Sequence, residues 1–128
     1  MPVPTPFHPR TKDLCTSYGW KEWSGYYAVT QFATPFDREY FAFRHSVGMI
    51  DVSPLFKYQI TGKDAGRFLA TVMTKNILKL KDNQVTYTGW CDDDGKLIDD
   101  GTVMRFDENC FFVTAAVPSY KWFSQYTR

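Results

Sequence analysis

Apolar and polar positions change period several times along this 128-residue chain, and each change marks an element. The most regular helical stripe is Ala65, Phe68, Leu69, Val72 and Met73, spaced to fall on one side of a helix. Just before it, Phe56, Tyr58 and Ile60 alternate with Lys57, Gln59 and Thr61, the pattern of a half-buried strand that Gly62 ends. Val85 and Tyr87 alternate with Gln84, Thr86 and Thr88, which predicts a second strand. Asp94-Gly95 is a hairpin-turn pair, and residues 97–106 form the returning strand. Asp107, Glu108 and Asn109 turn the chain again, and residues 110–115 make a further strand. Pro118 opens a closing helix with Ser119, Phe123 and Tyr126 on one side.

The first third is less regular. Pro2, Pro4, Pro6 and Pro9 predict an extended arm over residues 1–9, because proline is excluded from helix interiors and sheet centres. A short helix is expected over residues 11–17. Residues 17–32 are aromatic and broken by Gly19 and Gly25, an irregular loop with some strand character. Thr34 is a good N-cap, Pro35 suits the first helical position and Asp37 stands where a capping-box acid belongs. Phe36, Tyr40 and Phe43 then share a stripe that is expected to pack in a core, and Gly48 is the stop. Helices mixed with antiparallel hairpins make an α+β fold.

Length implies one domain over residues 1–128, able to bury roughly two thirds of its unfolded surface. A composition that is 44% hydrophobic and 18% aromatic supplies the core. Fifteen basic residues against fourteen acidic ones, with no basic run, exclude the footprint of a nucleic-acid binder. No apolar stretch approaches the ~18 residues of a membrane span, and no Lys/Arg-rich amphipathic face suits a membrane surface. The N-terminus lacks the apolar region of a signal peptide, so a cytoplasmic location is expected. Cys15, Cys91 and Cys110 fit no metal-binding spacing and are expected to be free thiols.

The densest acidic cluster is Asp92, Asp93, Asp94, Asp99 and Asp100. A calcium loop aligned on Gly95 would begin at Trp90 and end at Gly101, where an acid and a Glu are needed, so that pattern fails. Asp92, Asp93 and Asp94 are a solvated turn. Asp99 and Asp100 differ, because they interrupt an apolar strand whose successive side chains point to opposite faces. One of the two therefore turns inward or into a cleft, where a carboxylate needs partners or a task. His8 and His45 have no nucleophile arranged beside them, and no glycine-rich phosphate loop is present.

Several segments together resemble the glycine-cleavage T-protein (aminomethyltransferase) family and its folate-dependent demethylase relatives. Residues 46–53, SVGMIDVS, are similar to that family's G-[ML]-[FI]-D-x-S stretch, with Glu39 and Arg44 upstream where it carries an acid and an Arg. Gly62-Lys63-Asp64-Ala65 with Phe68-Leu69 resembles its G-x-D-A-x-x-F-L, and Tyr87 matches the Tyr of a Y-[ST] strand. Gly95-Lys96-Leu97-Ile98-Asp99-Asp100 resembles its G-G-[IV]-x-D-D. Three positions depart from the pattern: Pro54 stands for a His, Gly101 for an apolar residue and Thr114 for an Asn.

The resemblance implies the N-terminal part of a folate-binding fold, with packed helices and antiparallel hairpins. It implies tetrahydrofolate as cofactor and transfer of an aminomethyl or methyl group to it. Asp100 takes the place of the catalytic carboxylate, and Leu55, Tyr87 and Thr114 join Asp100 as folate-contacting positions. A carboxylate there can orient the pterin, stabilise developing positive charge or pass a proton. The partners implied are a small one-carbon donor or a lipoyl-carrier protein; a non-catalytic folate-binding or interaction module is the alternative. Family members are much longer, so strands here are expected to be left as open edges that pair with a second copy. A homodimer by light scattering is the expected outcome, and a monomer at high concentration counts against it.

Overall fold

The structure, a computed structural model that describes residues 1–127, divides by contact into two units, Met1–Pro54 and Leu55–Arg128, where length alone implied one domain. The stretch between the last helix of the first unit and the first strand of the second carries no helix or strand.

In the first unit α1 (His8–Thr11) is followed by a 3₁₀ turn over Lys12–Leu14. This helix starts earlier than proline spacing suggested, because Pro9 lies in its first turn, where its missing N–H costs nothing. Strands β1 (Gly19–Trp23) and β2 (Tyr26–Gln31) form an antiparallel hairpin in the segment read as a loop. Ser24 (φ 47°) and Gly25 (φ 84°) both take positive φ at its turn, the backbone twist that two-residue hairpins favour. Val3 bridges to Tyr26, so the proline-rich arm is tied to this ribbon.

Helix α2 (Asp37–His45) begins after Phe36, and no side chain caps it. The expected Thr34 cap is replaced by Glu39, whose Oε1 accepts from the backbone N–H of Phe32 and Ala33 at 2.8 and 2.9 Å. The expected core stripe is also corrected: no residue of α2 is buried, and Phe36, Tyr40 and Phe43 are each more than half exposed. Phe36, Tyr40 and Phe43 do share one side of the helix, but no core covers it. Some rings stack on their own neighbours, Tyr40 on Phe41 and Phe41 on His45.

The second unit holds β3 (Phe56–Thr61), α3 (Ala65–Val72), β4 (Val85–Cys91), β5 (Leu97–Asp107), β6 (Cys110–Ala115) and α4 (Tyr120–Ser124). The four strands make one antiparallel sheet in the order β3-β6-β5-β4. All of these elements lie within two or three residues of where the apolar periodicity put them. The β4–β5 hairpin turns through Asp92, whose Oδ1 accepts from the N–H of Asp94 and Lys96, with Gly95 at φ 79°. It is the solvated turn that the sequence implied.

One face of the sheet packs with α3 and α4. Leu69, Val72, Ile77, Trp90, Val103, Phe111, Val113, Ala115 and Phe123 make this core. Phe123 sets its ring against Tyr58, Phe68 and Trp90, and the Tyr58 hydroxyl accepts from the Ser119 N–H at 2.7 Å, fixing the start of α4. Arg105 lies 2.7 Å from Asp82 and donates to the Leu80 carbonyl, which ties residues 80–82 to β5. Both outer strands are edges, but Thr74 donates to the Gly89 carbonyl and so covers part of β4. Leu69 is fully buried at the centre of the core. Leu69→Ala is expected to lower the unfolding free energy by about 2–5 kcal/mol, read as a reduced denaturant midpoint with an unchanged slope.

Candidate functional site

Strand alternation separates the two acids that the sequence singled out. Asp99 lies opposite Trp90 and Asp100 opposite Gly89 in the β4–β5 register. Asp99 is buried on the core side, at 9% exposure, while Asp100 is half-buried on the other face. The inward carboxylate is thus Asp99, and it is fully engaged with backbone. Its Oδ1 accepts the N–H of Asp100 at 2.8 Å, and its Oδ2 accepts those of Ala116 and Val117 at 2.9 and 3.0 Å.

Asp100 has a different companion. Tyr87 pairs with Thr102 in the same ladder, one diagonal step from Asp100 on the same face. The Asp100 carboxylate is the main influence on the Tyr87 phenol, whose pKa it raises above the ordinary value, with hydrogen bonding as the first cause. Desolvation and the nearby negative charges of Asp100 and Asp99 push the same way. The physical sense is simple: a neutral phenol donates to a carboxylate, whereas a phenolate would be repelled by it.

Gly89 faces Asp100, and a Cβ there would come 2.8 Å from the Leu97 side chain and 3.9 Å from the Asp100 Cβ. The Leu97 side chain uses the space that Gly89 leaves free, beside the carboxylate and the exposed Tyr87 ring. On β6, Thr114 pairs with Lys57 of β3. Thr114 is buried, and its hydroxyl accepts from the Thr102 N–H at 2.9 Å and meets the Thr102 hydroxyl at 2.7 Å. Leu55 stands one residue ahead of β3, half-buried, with its carbonyl accepting from the Lys57 ammonium at 2.6 Å.

The four positions expected at a folate site therefore all belong to the second unit. Asp100 and Tyr87 share one face of the β4–β5 ladder, Thr114 bonds Thr102 opposite Tyr87, and Leu55 is at the head of the strand that pairs with β6. Two contributors carried no sequence signal of their own. Thr102 is an ordinary strand residue by pattern, and Gly89 reads as a weak strand glycine whose role depends on the residue opposite it. Among the described residues no group of His, Cys, Asp and Glu could hold a metal ion, and no helix is long and apolar enough to cross a membrane.

Residues 12–128 match the family model described as the GCVT N-terminal domain. The chain belongs to this family. It is 45% identical over 98 residues to an aminomethyltransferase of Clostridium botulinum (strain Okra / Type B1), an alignment covering 75% of this chain and 26% of that protein. It is 32% identical over 116 residues to an aminomethyltransferase of Thermoanaerobacter pseudethanolicus, covering 86% of this chain and 31% of the relative. The fold is similar to the crystal structure of the glycine cleavage system aminomethyltransferase T from Bartonella henselae, with a TM-score of 0.81 over 98% of this chain and 36% of that one, at 16% identity. The chain thus spans about a quarter to a third of the length of the aminomethyltransferases it matches.

The α+β reading of the sequence agrees with that shared fold. The influence of Asp100 on Tyr87 gives a direct test of the site's geometry. Asp100→Asn removes the charge and weakens the acceptor, so the Tyr87 phenol is expected to lose its proton at lower pH, back toward about 10. An NMR titration of ring-labelled tyrosine reads this, and no movement would mean that the two groups do not interact in solution.

Proposed function

We propose that this chain supplies part of a tetrahydrofolate site and serves transfer of a one-carbon group, aminomethyl or methyl, to that cofactor. The observation that carries this reading is the Asp100–Tyr87 pair beside Gly89, within a chain of the aminomethyltransferase family. Those residues fit a flat heterocycle with polar edges. The carboxylate accepts an N–H, and the exposed Tyr87 ring and the Leu97 side chain over Gly89 offer apolar contact.

Tetrahydrofolate, when bound, supplies the ring nitrogen that takes up the one-carbon unit. Asp100 orients that ring by accepting its N–H, and its negative charge favours positive charge developing at the reacting carbon. Tyr87, one diagonal step away on the same face, flanks the carboxylate with its exposed ring. Thr114, by fixing Thr102, keeps the neighbouring strand in register, and Leu55 contributes apolar contact at the margin. The donor belonging to this chemistry is a small one-carbon compound or a lipoyl-carrier protein.

Calorimetric titration of tetrahydrofolate into the pure chain tests the proposal. Asp100→Ala is expected to weaken binding about 10- to 100-fold, in line with losing a hydrogen bond to a charged group. Circular dichroism should stay unchanged, because the side chain lies outside the core. Unaltered binding in the Tyr87→Ala, Asp100→Ala double variant would overturn the assignment.

A further inference from the structure

The β5–β6 ladder stops short of the candidate site. Paired register runs from Asp107↔Cys110 back to Val103↔Val113 and goes no further. Beyond it the two strands are joined by side chains instead of backbone. The Thr102 N–H donates to the Thr114 hydroxyl rather than to a carbonyl. At Gly101 a Cβ would fall 1.9 Å from the Thr114 carbonyl oxygen, so the backbones approach there too closely for any side chain. Two residues further along, the Asp99 carboxylate spans the gap, taking the N–H of Ala116 and Val117 from the end of β6 and the N–H of Asp100 from its own strand.

We propose that Asp99 is a positioning residue for Asp100: its carboxylate replaces the missing ladder bonds at the fork between β5 and β6, and so holds the Asp100 backbone on the face it shares with Tyr87. This role rests on the reading of Asp100 as the site carboxylate. Three donors converge on one acceptor-only group, and all three are backbone N–H groups. One of them is the N–H of Asp100 itself, so the backbone that carries the site carboxylate is held by the buried one. The other two anchor it to the segment that leads into α4, whose Phe123 is part of the core. Asp99 therefore links the orientation of an open-face carboxylate to the rigid side of the sheet. An amide at this position would turn an NH₂ toward one of the donors and could not reproduce the set.

The test uses the full chain and needs no ligand. Asp99→Glu keeps the negative charge but moves the acceptor oxygens by one methylene. If Asp99 acted on Tyr87 only through its charge, the Tyr87 titration would stay where it is. Positioning predicts instead that it falls toward the ordinary tyrosine value, and that adding Asp100→Asn then shifts it by less than half of what the same change does in the native chain. Amide exchange gives the second reading. In the native protein the Ala116 and Val117 amides, outside any strand, are expected to exchange as slowly as those of Val103 and Val113. In Asp99→Asn they should speed up at least tenfold while Val103 and Val113 do not.

An unmoved Tyr87 titration in Asp99→Glu, or loop-like exchange of Ala116 and Val117 in the native chain, would overturn the role. Should both Asp99 variants fail to fold, the native exchange rates alone decide. Absence of tetrahydrofolate binding with the Tyr87 coupling intact would sink the cofactor reading and leave the Asp99–Asp100 geometry standing.

Discussion

Successive side chains of a strand point to opposite faces, and in β5 this rule acts on two adjacent carboxylates at the place where the sheet divides. The inward one, Asp99, cannot stay ionised and unpartnered against Trp90 and the core. It is stabilised by three backbone donors where the ladder is interrupted. The outward one, Asp100, carries no such structural duty and lies half-buried on the open face, where it raises the pKa of the Tyr87 phenol. Loss of the inward acid would remove the one side chain that joins the N–H groups of Asp100, Ala116 and Val117. That asymmetry gives the two acids different surroundings, Asp99 buried and bonded to backbone and Asp100 half-buried on the open face, although their sequence neighbourhoods are nearly the same.

Much of the second unit was legible in the chain, because each of its elements has one buried face and therefore one clean period. Residues 56–61 alternate, 65–73 repeat at helical spacing, and Asp94-Gly95 marks the turn; each feature has its counterpart in β3, α3 and the β4–β5 hairpin. The first unit was harder to read for the opposite reason. Its β1–β2 ribbon has aromatic residues on both faces and no fully buried position, so alternation is blurred. The rings of α2 produce a helical stripe without a core behind it, and periodicity cannot distinguish a covered stripe from an exposed one. The N-cap failed similarly. Thr34 had the right chemistry, but the Glu39 carboxylate satisfies the donors ahead of the helix from inside it.

At the candidate site, strand alternation said that one of the two acids must face inward but could not say which. That depended on the register with β4, which puts Trp90 across from Asp99 and Gly89 across from Asp100. A large apolar ring across from one acid and no side chain across from the other decides which acid lies in the core. The choice of Asp100 as the chemical acid came from family resemblance, and the register shows only which face it occupies. Thr102 and Gly89 were invisible for the same reason: their contributions exist only as cross-strand relations.

Two of the departures from the family pattern prove to touch each other. Gly101 stands where an apolar residue is usual and Thr114 where an Asn is usual, and the backbone at Gly101 lies so close to the Thr114 carbonyl that a Cβ could not be accommodated. The same Thr114 supplies the hydroxyl that receives the Thr102 N–H. A small residue on β5 thus permits the close approach, and a short hydroxyl on β6 makes use of it. Changing either alone would force the strands apart or leave a donor unsatisfied, so the two positions are coupled and are best regarded as one local solution to closing the fork. Because Asp100 lies between Asp99 and Gly101, both neighbours in sequence serve to hold its backbone, one through a carboxylate and the other through the lack of a side chain. The departures therefore bear on how the site is held rather than on its chemical groups, and the Asp100–Tyr87 pair remains open on the far face whichever means is used to brace it.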